Sequence, residues 1–474
     1  MGEAKRRGTH DERRKNAIKR NKELLSEQLG GRDERLIASL RMGLDPFFKR
    51  MTKDQWKERR QKLLDYLKSL PENVGLEKAK PIRVQADEIG WYLFLCEQTI
   101  NDPICVDVSQ QQRILPFFAG IGERWVYAPL VKGLERKIDD LLFKNSTEPD
   151  GLIFEILVAL SYAAKGWAVE LIEEGSKKSP DIVARRNGKE LYIECKRLAR
   201  RTEYAEQERT EFFRLWDAAK EALIANRQWI WMKGIFHTEA STLPNDFLTN
   251  IYRSNFPIGE GETVIHDDAN ATIYARLIDI PSVRQHMSKF RVKLNSPSFS
   301  SLLGGNWAPR NSAVTVINAV KVGHVVDCEV PALGAYVEEV GWASGFTREF
   351  DSEVSVHKKA RDILTRLADA VKQLPDDKPS VVHIAAETLE GKDVEKRRTE
   401  KVMNSVKKFT TDKLLLGIRF HRFQANQCVD KLYEFDETVE RFQIDGVNLD
   451  DIPENVVIPN DAILRDGTHW EIYL

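Results

Sequence analysis

The chain has 474 residues, and its 72 Lys and Arg side chains nearly balance its 73 Asp and Glu side chains. At about 150 residues per domain, this length predicts two or three domains, or one domain with large insertions. Since 42% of the residues are hydrophobic, the chain can bury a sizeable core, which excludes bulk disorder.

Neither a membrane protein nor a disulfide-stabilised secreted protein is indicated. The longest apolar run, residues 151–164, contains Glu155 and is shorter than the roughly 18 to 20 residues of a membrane span. The charged N-terminus has no apolar stretch behind it, as a secretory signal would have. The five cysteines are scattered and never spaced as Cys-x-x-Cys, which favours a reducing, cytoplasmic location over a disulfide scaffold or a structural zinc site.

The charges are unevenly distributed along the chain. Residues 1–22 hold nine Lys or Arg and three acids, a surplus of six positive charges. Residues 430–474 hold twelve acids and three bases, a surplus of nine negative charges. The basic end is either a solvated helical tail or an arm that contacts phosphates, and the acidic end hides it in the whole-chain sum.

The N-terminal third has mainly helical patterns. Apolar residues at helical spacing predict a helix over residues 53–70, and residues 71–81, bounded by two prolines, are typical of a linker. Two further helices are predicted around residues 91–99 and 129–143. The turn-rich residues 145–151 then indicate the start of another helix.

A helix and three short strands follow that turn. The helix is predicted over residues 152–164 and is apolar except for Glu155 and the small polar groups near its end. The three strand patterns lie at residues 167–172, 181–185 and 190–196. An Asn-Gly turn at residues 187–188 joins the last two strands into a predicted hairpin.

The remaining chain alternates helices and strands around one irregular stretch. A polar helix is predicted over residues 203–224, and residues 230–350 have no continuous periodicity, with strand patterns at 272–278 and 313–322. The later predicted elements are a helix over 354–373, a strand over 380–385, a helix over 393–409 and a strand over 413–420.

Acidic and basic side chains cluster on the predicted hairpin. Side chains of the strand 190–196 alternate between faces, so Glu194 and Lys196 lie on one face, about 7 Å apart. Asp181 starts the partner strand and would come close to both. Glu155 is the one acid in its helix, and a buried carboxylate needs an ion pair, hydrogen bonds or a metal.

This order of a helix acid, Pro-Asp at a strand start and Glu-x-Lys on the next strand resembles the PD-(D/E)XK nuclease superfamily. The match consists of Glu155, Pro180-Asp181 and Glu194-Cys195-Lys196 on a helix–strand–strand–strand frame. Glu-x-Lys alone is weak evidence, because short patterns of common residues recur by chance. The alternative is an ion pair on a strand surface beside an unrelated buried Glu155.

The resemblance implies an α/β fold with a restriction-endonuclease-like core, an αβββαβ mixed sheet flanked by helices, together with a helical N-terminal region and a large α+β insertion. The expected parts are a basic helical region and linker at 1–80, a helical region at 81–150, the core at 151–202 and 351–425, the insertion at 203–350, and an acidic C-terminal segment at 426–474.

The resemblance also implies a divalent-metal site. Asp181 and Glu194, with the backbone carbonyl of Cys195, offer hard oxygen ligands that suit Mg²⁺ or Mn²⁺, while Glu155 would orient a metal-bound water or complete a second metal position. Lys196 would hold the attacking water and stabilise negative charge in the transition state. The basic residues after this strand are interpreted either as phosphate-backbone contacts or as a solvated helix start: Arg197, Arg200 and Arg201.

Two histidines are interpreted as structural. His383 lies in an apolar strand and is expected to be a core residue. His421 lies among basic and aromatic residues, a pattern found in nucleic-acid surfaces but explained more simply by an ordinary edge strand.

We therefore expect a cytoplasmic, divalent-metal-dependent endonuclease that hydrolyses phosphodiester bonds, with DNA favoured over RNA as the substrate. A role in defence against foreign DNA is suggested by analogy alone. Two alternatives remain: a nuclease that cleaves RNA, and a catalytically silent nuclease-fold module that binds nucleic acid or protein. No membrane partner is expected, while a homodimer and a further protein partner remain open.

Overall fold

The protein combines helices with two mixed β-sheets, which confirms the predicted α/β class. The computed structural model describes residues 34–69, 86–173, 179–294, 296–307, 313–426, 433–443, 451–459 and 461–472. The predicted basic arm at residues 1–22 and the linker at residues 71–81 lie outside the described residues. In the described ranges, every helix is too short or too polar to span a bilayer.

The described part of the chain up to residue 143 is mainly helical. The helices are α1 (Glu34–Lys49), α2 (Lys53–Ser69), α3 (Glu88–Asn101), α4 (Val108–Arg124) and α5 (Leu134–Phe143). Asp87 and Asp107 cap α3 and α4 by accepting hydrogen bonds from first-turn N–H groups. Helices α1 and α4 approach closely, since a Cβ added at Gly122 would lie 1.8 Å from the backbone oxygen of Ser39.

The predicted helix and three strands are found at the expected positions. The elements of this stretch are β1 (Val131–Lys132), α6 (Pro149–Ala164), β2 (Ala168–Leu171), β3 (Ile182–Arg186), β4 (Lys189–Arg197) and α7 (Glu203–Asn226). Between β3 and β4, Asn187 and Gly188 have φ angles of 50° and 77°. These left-handed values are those of a two-residue type I′ turn, which fixes the register of the hairpin.

Residues 230–350 form the second sheet and its helices. The elements are β5 (Ile230–Phe236), α8 (Phe247–Asn255), β6 (Thr263–Asp267), β7 (Ala271–Leu277), α9 (Ile280–Lys289), β8 (Val292–Lys293), α10 (Pro297–Gly304), β9 (Val314–His324) and β10 (Ala335–Phe350). The strand order is β6-β7-β5-β10-β8, and β9 pairs with β10. The two predicted strands here correspond to β7 and β9, whereas the central β5 and β10 were not predicted.

The chain then returns to the first sheet. The elements are α11 (Glu353–Lys359), α12 (Leu364–Val371), β11 (Ser380–Glu387), α13 (Lys392–Lys408), β12 (Leu415–Asn426), β13 (Glu434–Gln443) and α14 (His469–Ile472). The prediction of one helix over residues 354–373 is wrong. Two helices form because Asp362 Oδ1 accepts a hydrogen bond from the N–H of Leu364 and starts α12 afresh.

The first sheet has the strand order β1-β2-β3-β4-β11-β12-β13. Strands β4, β11 and β12 are parallel, and antiparallel pairs flank them on both sides. Helix α6 packs on one face of the sheet, where Ile193 and Val381 point toward it. Helices α12 and α13 cover the other face, where Val382 and Ile384 lie. The prediction that His421 belongs to an edge strand is wrong, because β12 lies between β11 and β13 and buries that residue.

Candidate functional site

Asp181 and Glu194 lie side by side where β3 and β4 pair. Ile182 lies opposite Ile193 in the hairpin, so Asp181 comes beside Glu194 at the end of the ladder. The backbone N–H of Asp181 donates to Glu194 Oε2 at 3.2 Å, and the backbone N–H of Cys195 donates to Asp181 Oδ2 at 2.7 Å. The hairpin thus brings the two predicted carboxylates together.

Lys196 is part of the same cluster. Its Nζ donates to Glu194 Oε1 at 2.5 Å, and it retains some solvent contact while the Glu194 side chain is fully buried. This contact agrees with the predicted placement of both side chains on one face of β4. Lys196 therefore lies at the boundary between the buried carboxylate and solvent.

Burial controls the protonation of this cluster. It raises the pKa of Glu194 to about 8, with the charge of Asp181 acting in the same direction, and it also raises the pKa of Asp181. Burial alone would lower the pKa of Lys196, but the charge of Glu194, the hydrogen bond to Glu194 and the charge of Asp181 together outweigh burial and raise that pKa. Two crowded acids beside one cation favour a further positive charge at this position.

Glu155 has the partner that its burial requires. It lies in the middle of α6, and its Oε2 accepts a hydrogen bond of 2.6 Å from Lys137 Nζ of α5, which is also buried. The charge of Lys137 acts against the rise in the pKa of Asp181 that burial causes. This ion pair and the hairpin cluster therefore share one electrostatic environment. Sequence reasoning missed Lys137, although a lysine on the apolar helix face of Leu134 and Leu141 is a usable signal.

The donor atoms suit a hard divalent cation. Asp181 and Glu194 supply adjacent carboxylates, and Lys196 does not offset the effects of burial and of the Asp181 charge that raise the pKa of Glu194. In the part of the chain that the structure describes, three or more His, Cys, Asp or Glu side chains do not gather into a metal-holding group. Mg²⁺ commonly uses one or two carboxylates and keeps its remaining positions for water and substrate phosphate, so this pair fits it.

The three predicted arginines, at the end of β4 and just after it, lie around two glutamates. Arg197 Nη2 is 2.8 Å from Glu387 Oε1, and Arg200 Nε is 3.5 Å from Glu387 Oε2. Arg201 Nε donates to Glu390 Oε1 at 2.9 Å. The side chains of Arg197 and Arg201 are buried, whereas that of Arg200 is 40% exposed. Solvent therefore reaches Arg200 most easily of the three, and sequence reasoning did not identify the two glutamates.

A row of buried polar groups in contact with one another runs across the strands of the first sheet. Tyr162 Oη lies 3.1 Å from His383 Nε2, His383 Nδ1 lies 2.9 Å from His421 Nε2, and His421 Nδ1 lies 2.8 Å from Glu437 Oε1. Glu437 also accepts hydrogen bonds from the backbone N–H groups of residues 456–458. Burial lowers the pKa of His383 well below its ordinary value. His383 is therefore a core residue, as predicted.

The residues and contacts above define what the site can do. Adjacent carboxylates with raised pKa, a cation at the solvent boundary and an exposed arginine four residues further along the chain suit a metal ion together with a phosphate group. Comparisons of the chain with protein-family models, with curated proteins and with solved structures found no match.

Proposed function

We propose that the protein is a divalent-metal-dependent nuclease of the PD-(D/E)XK type that hydrolyses phosphodiester bonds in DNA. The observation that carries this proposal is the contact between Asp181, Glu194 and Lys196 across the β3–β4 hairpin. The order α6-β2-β3-β4 supports it, as does the later return of the chain to β11 beside β4.

Each residue of the cluster has a separate role in this mechanism. Asp181 and Glu194 hold the cation, which when bound lowers the pKa of a water and neutralises charge on the reacting phosphate. Because its pKa is raised, Lys196 stays protonated at neutral pH. It therefore orients the attacking water and donates to a phosphate oxygen instead of removing a proton. Glu155, held by Lys137, orders water on the α6 side of the site.

Phosphate contacts beyond the scissile bond fall to Arg200, in the segment after β4. Arg200 is exposed enough to meet the nucleic-acid backbone directly. Arg197 is buried against the rings of Phe117 and Phe423, 5.9 and 5.1 Å from their centroids, so it acts by holding Glu387 and thereby Arg200. A duplex cut on both strands at once needs two such sites, which a homodimer would provide.

One observation favours a second candidate function, a binding module that has lost catalysis. Both oxygens of Glu194 carry hydrogen bonds, one from Lys196 and one from the Asp181 N–H. A cation would have to displace at least one of these donors. In the silent module this displacement never occurs, and the cluster only stabilises the hairpin.

The test is incubation of the purified protein with plasmid, linear DNA and structured RNA, with Mg²⁺, Mn²⁺ or EDTA. We expect metal-dependent cleavage that Asp181→Ala and Lys196→Ala abolish. Lys189→Ala, an exposed position on the same strand, is the matched control and should cleave normally. Cleavage that survives EDTA or either site variant contradicts the assignment. Binding without cleavage in every metal supports the silent module, and cleavage of RNA alone changes the substrate class.

A further inference from the structure

A large cleft lies apart from the hairpin cluster. We call it the α13 cleft: it has a volume of about 670 Å³, and its walls include Arg201, Arg209, Arg348 and the Gly391-Lys392 start of α13. Asp181, Glu194 and Lys196 do not line it. Its volume falls within the roughly 300 to 1,000 Å³ of small-ligand sites.

The N-terminus of α13 opens into this cleft. Gly391 is the N-cap residue, has a φ of 89°, and offers no side chain to cap the 17-residue helix. A Cβ added at Gly391 would meet nothing within 4 Å, so the space before the helix is open. Free N–H groups and the positive end of the helix dipole favour an anion there. Glu395, in the first turn, is neutralised because Arg398 Nη1 lies 2.8 Å from its Oε1.

A buried amide at the floor of the cleft independently indicates a ligand. Asn426 ends β12, is 1% exposed and lines the cleft. Among the described residues, its Nδ2 has no hydrogen-bond partner. Because buried polar groups are nearly always satisfied, a donor left over in a cavity wall points to an acceptor oxygen supplied from outside the chain.

Guanidinium groups from three separate elements converge on the same space. Burial lowers the pKa of Arg348 to about 10, and the positive charge of Arg209 acts in the same direction. Two of the wall acids have cationic partners, since Glu208 accepts from Lys359 Nζ at 2.7 Å and Glu390 accepts from Arg201, while Asp393 in the first turn of α13 adds one negative charge to the wall. Planar guanidinium groups match the oxygens of a phosphate, so this wall suits a phosphate group.

An aromatic pocket adjoins the α13 cleft. It has a volume of about 150 Å³, and Phe117, Phe423 and Phe435 contribute to its walls. The pocket and the cleft share Thr388, Leu389 and Gln424 among their lining residues, so they are adjacent. Gln112 Oε1 lies in this pocket as a buried acceptor without a partner among the described residues. Apolar rings with an amide acceptor and donor suit the stacking and hydrogen bonding of a nucleobase.

We propose that the α13 cleft and the aromatic pocket together bind a nucleoside phosphate, with the phosphate at the N-terminus of α13 and the base among the phenylalanine rings. A small ligand fits better than a nucleic-acid strand, because the key donors are recessed: Asn426 is 1% exposed and Arg348 8%. A polyanionic strand would also run past Glu349 and Asp351 on the outer walls. This site does not depend on the proposed nuclease activity, although Arg200 lines the aromatic pocket as well.

The test is calorimetric titration of the full chain with ATP and GTP, and with pyrophosphate and adenosine as the two halves of the ligand. EDTA is present throughout, so that a metal–nucleotide complex at the hairpin cluster does not contribute. We expect Lys392→Glu to weaken ATP and pyrophosphate binding at least about tenfold, because it reverses a charge beside the phosphate. An acid in the first turn of a helix is stabilising, so this variant should fold normally.

Lys396→Glu is the matched control, since it makes the same charge change one turn further along α13 at an exposed position that does not line the cleft. It should bind ATP like the unmodified protein. Gln112→Ala should weaken ATP and adenosine but leave pyrophosphate unchanged. The proposal is overturned if millimolar ATP and GTP give no binding, or if the two lysine variants lose equal affinity. It is also overturned if Lys392→Glu weakens only the binding of single-stranded DNA, since the cleft would then hold a nucleic-acid strand.

Discussion

Replacing Glu387 with Gln should destabilise the protein strongly, because this one carboxylate holds three arginines. Glu387 ends β11, and its Oε1 accepts hydrogen bonds of 2.9 Å from Arg113 Nε and 2.8 Å from Arg197 Nη2. Arg200 Nε lies 3.5 Å from its Oε2. Burial alone would raise the pKa of Glu387, but the three positive charges outweigh burial and lower it to about 2.

The size of the effect follows from that pKa. The folded-state value of about 2 lies below the ordinary 4.5, and at about 1.4 kcal/mol per pH unit the difference corresponds to about 3 kcal/mol. Because the folded-state pKa of Glu387 is depressed, this stability is present above about pH 4.5 and is lost as the pH falls through about 2. Glutamine keeps an acceptor oxygen but leaves the buried guanidinium group of Arg197 without its counter-charge, while Arg113 keeps its ion pair with Asp150; removing one partner of a buried pair costs about 3 to 5 kcal/mol in comparable sites.

Urea unfolding at pH 7, followed by tryptophan fluorescence, measures this loss. Glu349→Gln is the matched control, because Glu349 is 52% exposed and 3.2 Å from Lys233, and such surface pairs contribute less than about 1 kcal/mol. We expect Glu387→Gln to lower the free energy of unfolding by about 3 kcal/mol and the control to change it little. A loss below about 1 kcal/mol, or one equal to the control, would refute the assignment of Glu387 as the centre of this cluster.

Three further predictions concern stability. The pKa of Glu194 is raised to about 8, so the stability linked to its protonated form is complete below about pH 4.5 and is lost as the pH rises through about 8. Glu194→Gln should remove this pH dependence from the midpoints of urea unfolding measured without metal. The depressed pKa of His383 means that the unfolded chain binds the proton first, so His383 should contribute about 1.4 kcal/mol per pH unit to the fall in the free energy of unfolding below about pH 6.5. His383→Gln should reduce the slope by that amount, leaving the part due to His469, whose pKa is lowered to about 3; equal slopes in the two proteins would contradict this assignment. Gly122→Ala should lower the free energy of unfolding in urea by about 2 kcal/mol or more, because its Cβ would lie 1.8 Å from a backbone oxygen. Gly259→Ala, whose Cβ would meet nothing within 4 Å, is the control and should not lower it. Similar losses in the two variants would exclude the close helix contact as the cause.

The hairpin cluster was predictable from sequence because its determinants are local. Strand alternation placed Glu194 and Lys196 on one face, and the Asn187-Gly188 turn set the register that brings Asp181 beside them. These three residues span only a short stretch of chain. Periodicity and turn chemistry operate over this range, so the contact could be derived before the fold was known.

The partners of the site were not predictable, because their contacts join distant parts of the chain. Arg113 and Glu387 are 274 residues apart, and no local pattern marks either as the other's partner. Strand β10 was missed for a different reason. Its Gly345 packs against the ring of Trp231 on β5, and this large ring leaves no room for a side chain at position 345. The glycine weakens the alternation of apolar and polar residues by which a strand is predicted.

The interaction of Glu437 with residues 456–458 also sets an order of events during synthesis. This buried carboxylate on β13 obtains three of its backbone donors only after residue 458 has left the ribosome. Arg124 of α4 likewise donates to the carbonyl oxygens of Val457 and Ile458, and it lacks these acceptors until both residues have been synthesised. The first sheet therefore cannot complete its packing while the chain is still being made beyond β13. In a nascent chain stalled before residue 456, Glu437 would keep its contact with His421 and would lack its three backbone donors.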